Sequence, residues 1–203
     1  MEHAVANKPE LNMWFDYTCP HSHLGITLIK SLSEELDLVI NCLPYLLRPS
    51  APLQNFASDN HSDISRPQLG QPLRSTNQTL IEPFSSRQLS TVLVHEATAF
   101  ATTQLKFLEF YEAVAKEYWD HGGDIGSLYL IRKATVQAGL SWEAMWNELS
   151  TGSFRTWVLD QHNLAISKGI KTIPSYLIGE KLLEGNLQRT DLESAIIKTQ
   201  SKI

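Results

Sequence analysis

The spacing of apolar positions changes several times along the chain, and each change predicts an element. Leu11–Tyr17 (LNMWFDY) is a short aromatic and apolar run, the pattern of a buried strand. From Pro20 onward Leu24, Leu28, Ile29, Leu32 and Leu36 recur at helical spacing. Pro20 suits the first helical position, where its missing N–H would have been unpaired in any case. A helix from about Pro20 to Leu36 follows. Asp37–Tyr45 (DLVINCLPY) returns to a β-type run, so strand, helix and strand with short links predict a βαβ unit with parallel strands. The chemistry of such units sits at the carboxyl ends of the strands, and Cys19 lies at that end of the first one.

From Leu46 to Ser86 the chain is polar and carries Pro49, Pro52, Pro67, Pro72 and Pro83, which predicts an irregular surface stretch and a candidate binding edge. From Gln88 to about Gly169 the apolar spacing is helical, as in Val92, Ala97, Phe100, Phe110, Ala113 and Ile131. Gly122-Gly123, Gly139 and Gly152 punctuate this block into four or five helices, with Ser141 and Ser153 as candidate N-caps. The β pattern then restarts. Thr172–Gly179 and Leu182–Gly185 flank a tight connection and predict an antiparallel hairpin, followed by a helix from about Arg189 to Lys198. The order βαβ, helical block, ββα is that of an α/β, thioredoxin-like fold interrupted by an all-helical insertion. On this reading residues 11–60 and 166–203 make the thioredoxin-like domain, and residues 61–165 the irregular stretch and the insertion.

Composition narrows the possible partners. With 203 residues, 42% hydrophobic and 19% charged, the chain has the make-up of a globular protein and not of a disordered or disulfide-dense one. Its 17 Lys and Arg against 22 Asp and Glu leave a net charge of −5, so no broad basic field attracts phosphate backbones and nucleic acid is not an expected partner. No apolar run approaches the roughly 18 residues that span a bilayer, and Met1–Glu10 is polar. The expectation is a cytoplasmic chain without a membrane partner. The acidic, Trp-bearing helical block is compatible with a homodimer.

Two cysteines in a reducing compartment read as one reactive and one structural thiol rather than a disulfide. Cys42 lies within an apolar strand run and reads as core. Cys19, His21 and His23 have no established metal-loop spacing, so no metal site is expected.

The segment Phe15–Gly25 (FDYTCPHSHLG) resembles the active-site strand, turn and helix start of the DsbA-like thiol oxidoreductases. Val94-His-Glu-Ala97, Phe110–Ala113, Gly123–Ile125 and Ala138–Leu140 are similar to parts of that family's helical insertion. Gly169–Gly179 (GIKTIPSYLIG) resembles its cis-proline loop and the following strand. The likeness runs from about Met13 to Lys198. It implies a thiol–disulfide oxidoreductase in which Pro174 follows a cis bond that brings the backbone of Ile173 beside the reactive sulfur. One departure matters. Redox-active members of the family carry Cys-x-x-Cys, whereas the fourth position here is Ser22. Related branches, the kappa-class glutathione transferases and the 2-hydroxychromene-2-carboxylate isomerases, have serine at the first position and use it to engage glutathione.

A thiol at a helix N-terminus faces unpaired N–H groups and the positive end of the helix dipole, so Cys19 is expected to be a nucleophilic thiolate near neutral pH. His21 is expected to add positive charge or a donated hydrogen bond, and Ser22 a hydroxyl donor, which makes Cys19, His21 and Ser22 the candidate catalytic set. Pro20, Ile173 and Pro174 are the candidate substrate-binding set, with the Ile173 N–H and C=O offering an extended ligand an antiparallel edge. Without a second cysteine the mixed disulfide must be resolved by an external thiol. Glutathione is then a co-substrate rather than a resident cofactor, and the partners are protein or low-molecular-weight disulfides together with glutathione. Two rival readings stand beside this one. In a glutathione-dependent transferase or isomerase of the kappa type, Cys19 or Ser22 would hold the glutathione sulfur. A non-catalytic binding module would show an ordinary, high thiol pKa.

Overall fold

A computed structural model describes residues 8–36, 38–51, 72–75, 78–81 and 89–200. Most of the polar segment Met1–Glu10, and most of the stretch expected to be irregular between Leu46 and Ser86, lie outside the described residues. In chain order the elements are β1 (Glu10–Phe15), α1 (Pro20–Glu35), β2 (Val39–Pro44), β3 (Pro72–Ser75), β4 (Gln78–Ile81), α2 (Val92–Thr103), α3 (Phe107–Trp119), α4 (Leu128–Gln137), α5 (Trp142–Thr151), α6 (Arg155–Ser167), β5 (Ser175–Ile178), β6 (Lys181–Glu184) and α7 (Arg189–Gln200). The chain divides into two compact units, Met1–Tyr45 with Asn163–Ile203, and Leu46–His162.

The first unit holds a four-stranded sheet in the order β2-β1-β5-β6. β1 runs parallel to β2 and antiparallel to β5, and β5 and β6 form the antiparallel hairpin. Strand β1 is central, and Met13, Trp14 and Phe15 are all buried, as expected where both faces of a strand are covered. Met13 lies opposite Cys42 on β2 and opposite Tyr176 on β5, so these three side chains share one face of the sheet. That face meets α1 at Gly25. A Cβ there would collide with Tyr176 Oη, stand 2.8 Å from Met13 Cε and lie 3.3 Å from Pro174 Cγ. Glycine inside a helix costs stability, and this close approach is its physical reason. Trp14, the neighbour of Met13, packs with Cys19, Tyr45, Ala165, Ile170 and Ile173. Arg189 ties α7 to α1 through Ser31 Oγ (3.2 Å) and the Glu35 carboxylate, and to its own helix through Glu193 (2.6 Å).

The second unit is mostly helical. Helix α2 is buried along its length from Val92 to Ala101. Within it the Glu96 carboxylate accepts a hydrogen bond from Arg155 Nε at 2.9 Å. Ser127 and Ser141 cap α4 and α5 by accepting from Leu130 N (3.3 Å) and Ala144 N (3.2 Å), and α5 ends on Gly152 in the left-handed region. Ser153, expected to cap a helix, instead pairs its hydroxyl with Thr151 at 2.7 Å, and α6 begins at Arg155. The polar stretch expected to be irregular also holds structure. β3 and β4 form an antiparallel hairpin with Ser75 opposite Gln78. Pro72 weighed against a strand in the sequence, but it is the first residue of β3, one of the places where a strand tolerates proline.

Candidate active site at the start of α1

The site begins with a turn. At the end of β1, the buried Asp16 carboxylate accepts hydrogen bonds from Thr18 N (2.8 Å) and Thr18 Oγ1 (2.7 Å), while the Asp16 carbonyl accepts from Cys19 N (3.1 Å). Such an Asx arrangement turns the chain locally, using the short side chain in place of a backbone partner. Cys19 then has extended backbone (φ −92°, ψ 114°) and is the N-cap of α1, with Pro20 starting the helix. Its Sγ accepts from the Ser22 N–H at 3.4 Å, the role a serine or aspartate oxygen usually fills at this position.

The other wall comes from the loop before β5. The Ile173–Pro174 peptide bond is cis. Cys19 Sγ donates to Ile173 O at 3.6 Å, and Pro174 O accepts from Gly185 N at 2.7 Å, which fixes the loop to the end of β6. The structure therefore brings Cys19, Ser22, Ile173 and Pro174 together, with Pro20 and His21 half-buried at the helix start. The Ile173 carbonyl, expected to face a ligand, is turned toward the sulfur.

The electrostatics correct one expectation. Burial pushes the Cys19 thiol above the ordinary cysteine range, and the Asp16 carboxylate pushes the same way. The Ser22 side chain, the Ser22 N–H and the His21 N–H oppose this without overcoming it. The donors at the helix start thus oppose the desolvation of this thiol. The His21 backbone N–H is among the donors that act on the sulfur. Ser22 Oγ is near enough to favour the thiolate, yet it is fully buried and makes no hydrogen bond among the described residues in this thiol state. Tyr176 Oη is likewise buried and unpartnered among the described residues.

Cys42 contrasts with Cys19. Both are free thiols; Cys42, expected in the core, is half-buried, and desolvation is the one cause that pushes it up. Among the described residues no group of three or more His, Cys, Asp or Glu is placed to hold a metal ion, and no helix is long and apolar enough to cross a membrane.

Sequence reasoning missed Asp16, Gly25 and Tyr176. For Asp16 the signal was the Asp-x-Thr pattern just before a helix start, and for Gly25 it was a glycine inside a strong helical period. Nothing in the sequence distinguished Tyr176 from an ordinary strand aromatic.

Residues 10–197 match the family model of the DSBA-like thioredoxin domain, and the chain belongs to that family. The uncharacterized protein YwbO of Bacillus subtilis (strain 168) is 23% identical over 195 residues, covering 95% of this chain and 98% of that protein. Among solved structures, a probable DsbA oxidoreductase from Streptomyces coelicolor superposes with a TM-score of 0.70 at 13% identity, over 96% of this chain and 91% of that one. A 2-hydroxychromene-2-carboxylate isomerase superposes with a TM-score of 0.66 at 16% identity, over 93% and 95%. At these identities the two structures share the fold: a thioredoxin-like α/β fold carrying helices between its two halves.

Proposed function

We propose that this chain is a thiol–disulfide oxidoreductase that works with Cys19 as its only reacting sulfur and with an external thiol of the glutathione class as co-substrate. The Cys19 thiolate attacks one sulfur of a disulfide, forming a mixed disulfide and releasing the other sulfur as thiolate. An external thiolate then attacks the substrate-side sulfur of the mixed disulfide, and Cys19 leaves as thiolate and is reprotonated. Electrons balance, because the substrate disulfide is exchanged for one that carries the external thiol.

The observation that carries this reading is Cys19 as the cap of α1, with the Ser22 N–H on its sulfur and Ser22 where a resolving thiol would stand. Pro20, Ile173 and Pro174 border the sulfur and are assigned to the substrate. Among the described residues no backbone group pairs with the Ile173 N–H, which leaves that donor for an extended ligand. Burial leaves the Cys19 thiolate poorly stabilised, which makes it a slow leaving group. Protein or low-molecular-weight disulfides are its substrates on this reading, with glutathione resolving the mixed disulfide.

A raised thiol is also what a non-catalytic binding module would show. A second enzymatic reading is supported by serine at position 22. It is a glutathione-dependent transferase or isomerase of the kappa type, with Ser22 and Cys19 holding the glutathione sulfur while the chemistry occurs on a second substrate. One experiment separates the two. Cys42→Ala protein is exposed to oxidised glutathione, analysed by intact mass, and then given reduced glutathione. Exchange predicts one glutathione adduct on Cys19 that reduced glutathione removes with recovery of the thiol. Saturable glutathione binding without an adduct overturns exchange in favour of the second reading.

A further inference from the structure

We propose that Tyr176 is a positioning residue for the Cys19 sulfur: its buried hydroxyl, joined to Ser22 Oγ through one internal water, turns the Ser22 proton onto the sulfur when the thiolate forms. This rests on the exchange reading above and adds a residue to it.

Two buried hydroxyls lie on the inner side of α1, and neither has a hydrogen-bond partner among the described residues. Native structures rarely leave such groups orphaned, so each calls for a physical reason. Tyr176 projects from β5 on the sheet face it shares with Met13, and its Oη rests against the bare Cα of Gly25. Gly25 follows Ser22 by three residues, so the two positions are neighbours on one helix face. Ser22 and Gly25 are both buried, which puts Ser22 Oγ and Tyr176 Oη on the same side of the helix. The proposed bridge is one water with a hydrogen bond of about 2.8 Å to each hydroxyl. Any side chain at position 25 would occupy the ground on which Tyr176 Oη stands, which ties the glycine to the same arrangement.

The order of donors follows from the chemistry. Burial, and then the neighbouring Cys42 and Cys19 thiols, push the phenol's ionisation up, so Tyr176 stays an O–H donor throughout the working range. It donates to the water, the water donates to Ser22 Oγ, and Ser22 is left with its own proton to give. In the thiol state Cys19 donates to Ile173 O and the Ser22 proton has no call on the sulfur. When Cys19 leaves the mixed disulfide as thiolate it becomes an acceptor, and the Ser22 proton turns to it. No covalent bond changes in this chain of donors. Each hydrogen bond polarises the next, which strengthens the one that reaches the sulfur.

Four proteins test this, all in a Cys42→Ala background: unsubstituted, Ser22→Ala, Tyr176→Phe, and the double variant. The readouts are the pH profile of Cys19 alkylation and the unfolding midpoint. The other acid close to the sulfur, Asp16, is common to all four. Ser22→Ala is expected to raise the Cys19 pKa. Tyr176→Phe is expected to raise it too, lowering alkylation at a fixed pH below the pKa by about two- to tenfold, the range of one hydrogen bond. The double variant is expected to match Ser22→Ala alone, because Tyr176 acts only through Ser22. The unfolding midpoint of Tyr176→Phe is expected to stay close to that of the unsubstituted protein, so that the profile is read in a folded chain. An unchanged profile in Tyr176→Phe, or single effects that simply add in the double variant, overturns the proposal. If the unsubstituted protein forms no adduct with oxidised glutathione, the exchange reading fails instead, and the alkylation cycle still decides the role of Tyr176.

Discussion

The start of α1 and the middle of β2 each carry a cysteine, and burial pushes both thiols upward. At Cys42 nothing opposes burial. At Cys19 the Ser22 side chain and the N–H groups of Ser22 and His21 pull the other way, while Asp16 reinforces the burial. What distinguishes the two thiols is the presence, at Cys19, of donors that a thiolate can use. The unpaired N–H groups of a helix start favour a thiolate, and desolvation in the same place disfavours it.

The largest effect that separates the two regions is loss of the adduct. Cys19→Ser should abolish labelling by oxidised glutathione, and Cys42→Ala should leave it intact, both read by intact mass. Labelling that follows Cys42 instead would reverse the assignment of the two thiols. Ser22→Cys tests the same helix start from the other side. With Cys19 as cap and position 22 in the first turn, the variant should lose both of those thiols on mild oxidation and gain dithiol turnover, measured by thiol counting and by disulfide reduction. Failure to form that disulfide would mean that the first turn of α1 is not built as described.

Between the two regions stands Gly25, the contact of α1 with the row of Cys42, Met13 and Tyr176. Gly25→Ala forces a Cβ against Tyr176 Oη and Met13 Cε. Overpacking of this kind costs about 1–3 kcal/mol, offset in part by alanine's better helix propensity, and chemical denaturation measures the net. A neutral or stabilising alanine would mean that the helix and this row are not in close contact.

The pH dependence of stability sharpens the contrast further. A thiol whose folded pKa lies above its unfolded value of about 8.5 makes the folded chain hold a proton that the unfolded chain has released. The contribution is complete below pH 8.5 and is lost as pH rises from there toward the folded value, at no more than about 1.4 kcal/mol per pH unit for one proton. Cys42, with nothing to offset its burial, should account for more of this decline than Cys19. Denaturation at pH 7 and pH 9.5 should show a shallower decline in Cys42→Ala than in the unsubstituted chain, and an equal decline would remove Cys42 as its source.

Much of this was legible in the sequence, for reasons that are local. Cys19 and Pro20 mark a helix start by rules that need only neighbouring residues, and the alternation around Thr172–Gly185 needs only a strand period. The DsbA-like family and its fold followed from these segments together. What was not legible depends on residues far apart in the chain. Ile173 meets Cys19 across 154 positions, and that meeting sets the acceptor for the S–H. Tyr176 is a strand aromatic like any other until register places it opposite Met13 and under Gly25. The hairpin β3–β4 escaped because prolines around it spoke for irregular chain, while the pairing that makes it a hairpin is not a property of single residues.

The smallest effect is the one the sequence would have ranked higher. An imidazole two residues from a reactive sulfur invites the reading that its charge stabilises the thiolate, so His21→Ala would be expected to raise the Cys19 pKa. The His21 backbone N–H is among the donors that act on the sulfur, and alanine keeps that N–H. The alkylation profile of Cys19 in His21→Ala should therefore overlay that of the unsubstituted protein, in contrast to Ser22→Ala, whose loss of a hydroxyl cannot be made good by the backbone. A shift in His21→Ala as large as that in Ser22→Ala would restore the imidazole to the site. It would also mean that the difference between the two cysteines comes from a nearby charge and not from the donors at the helix start.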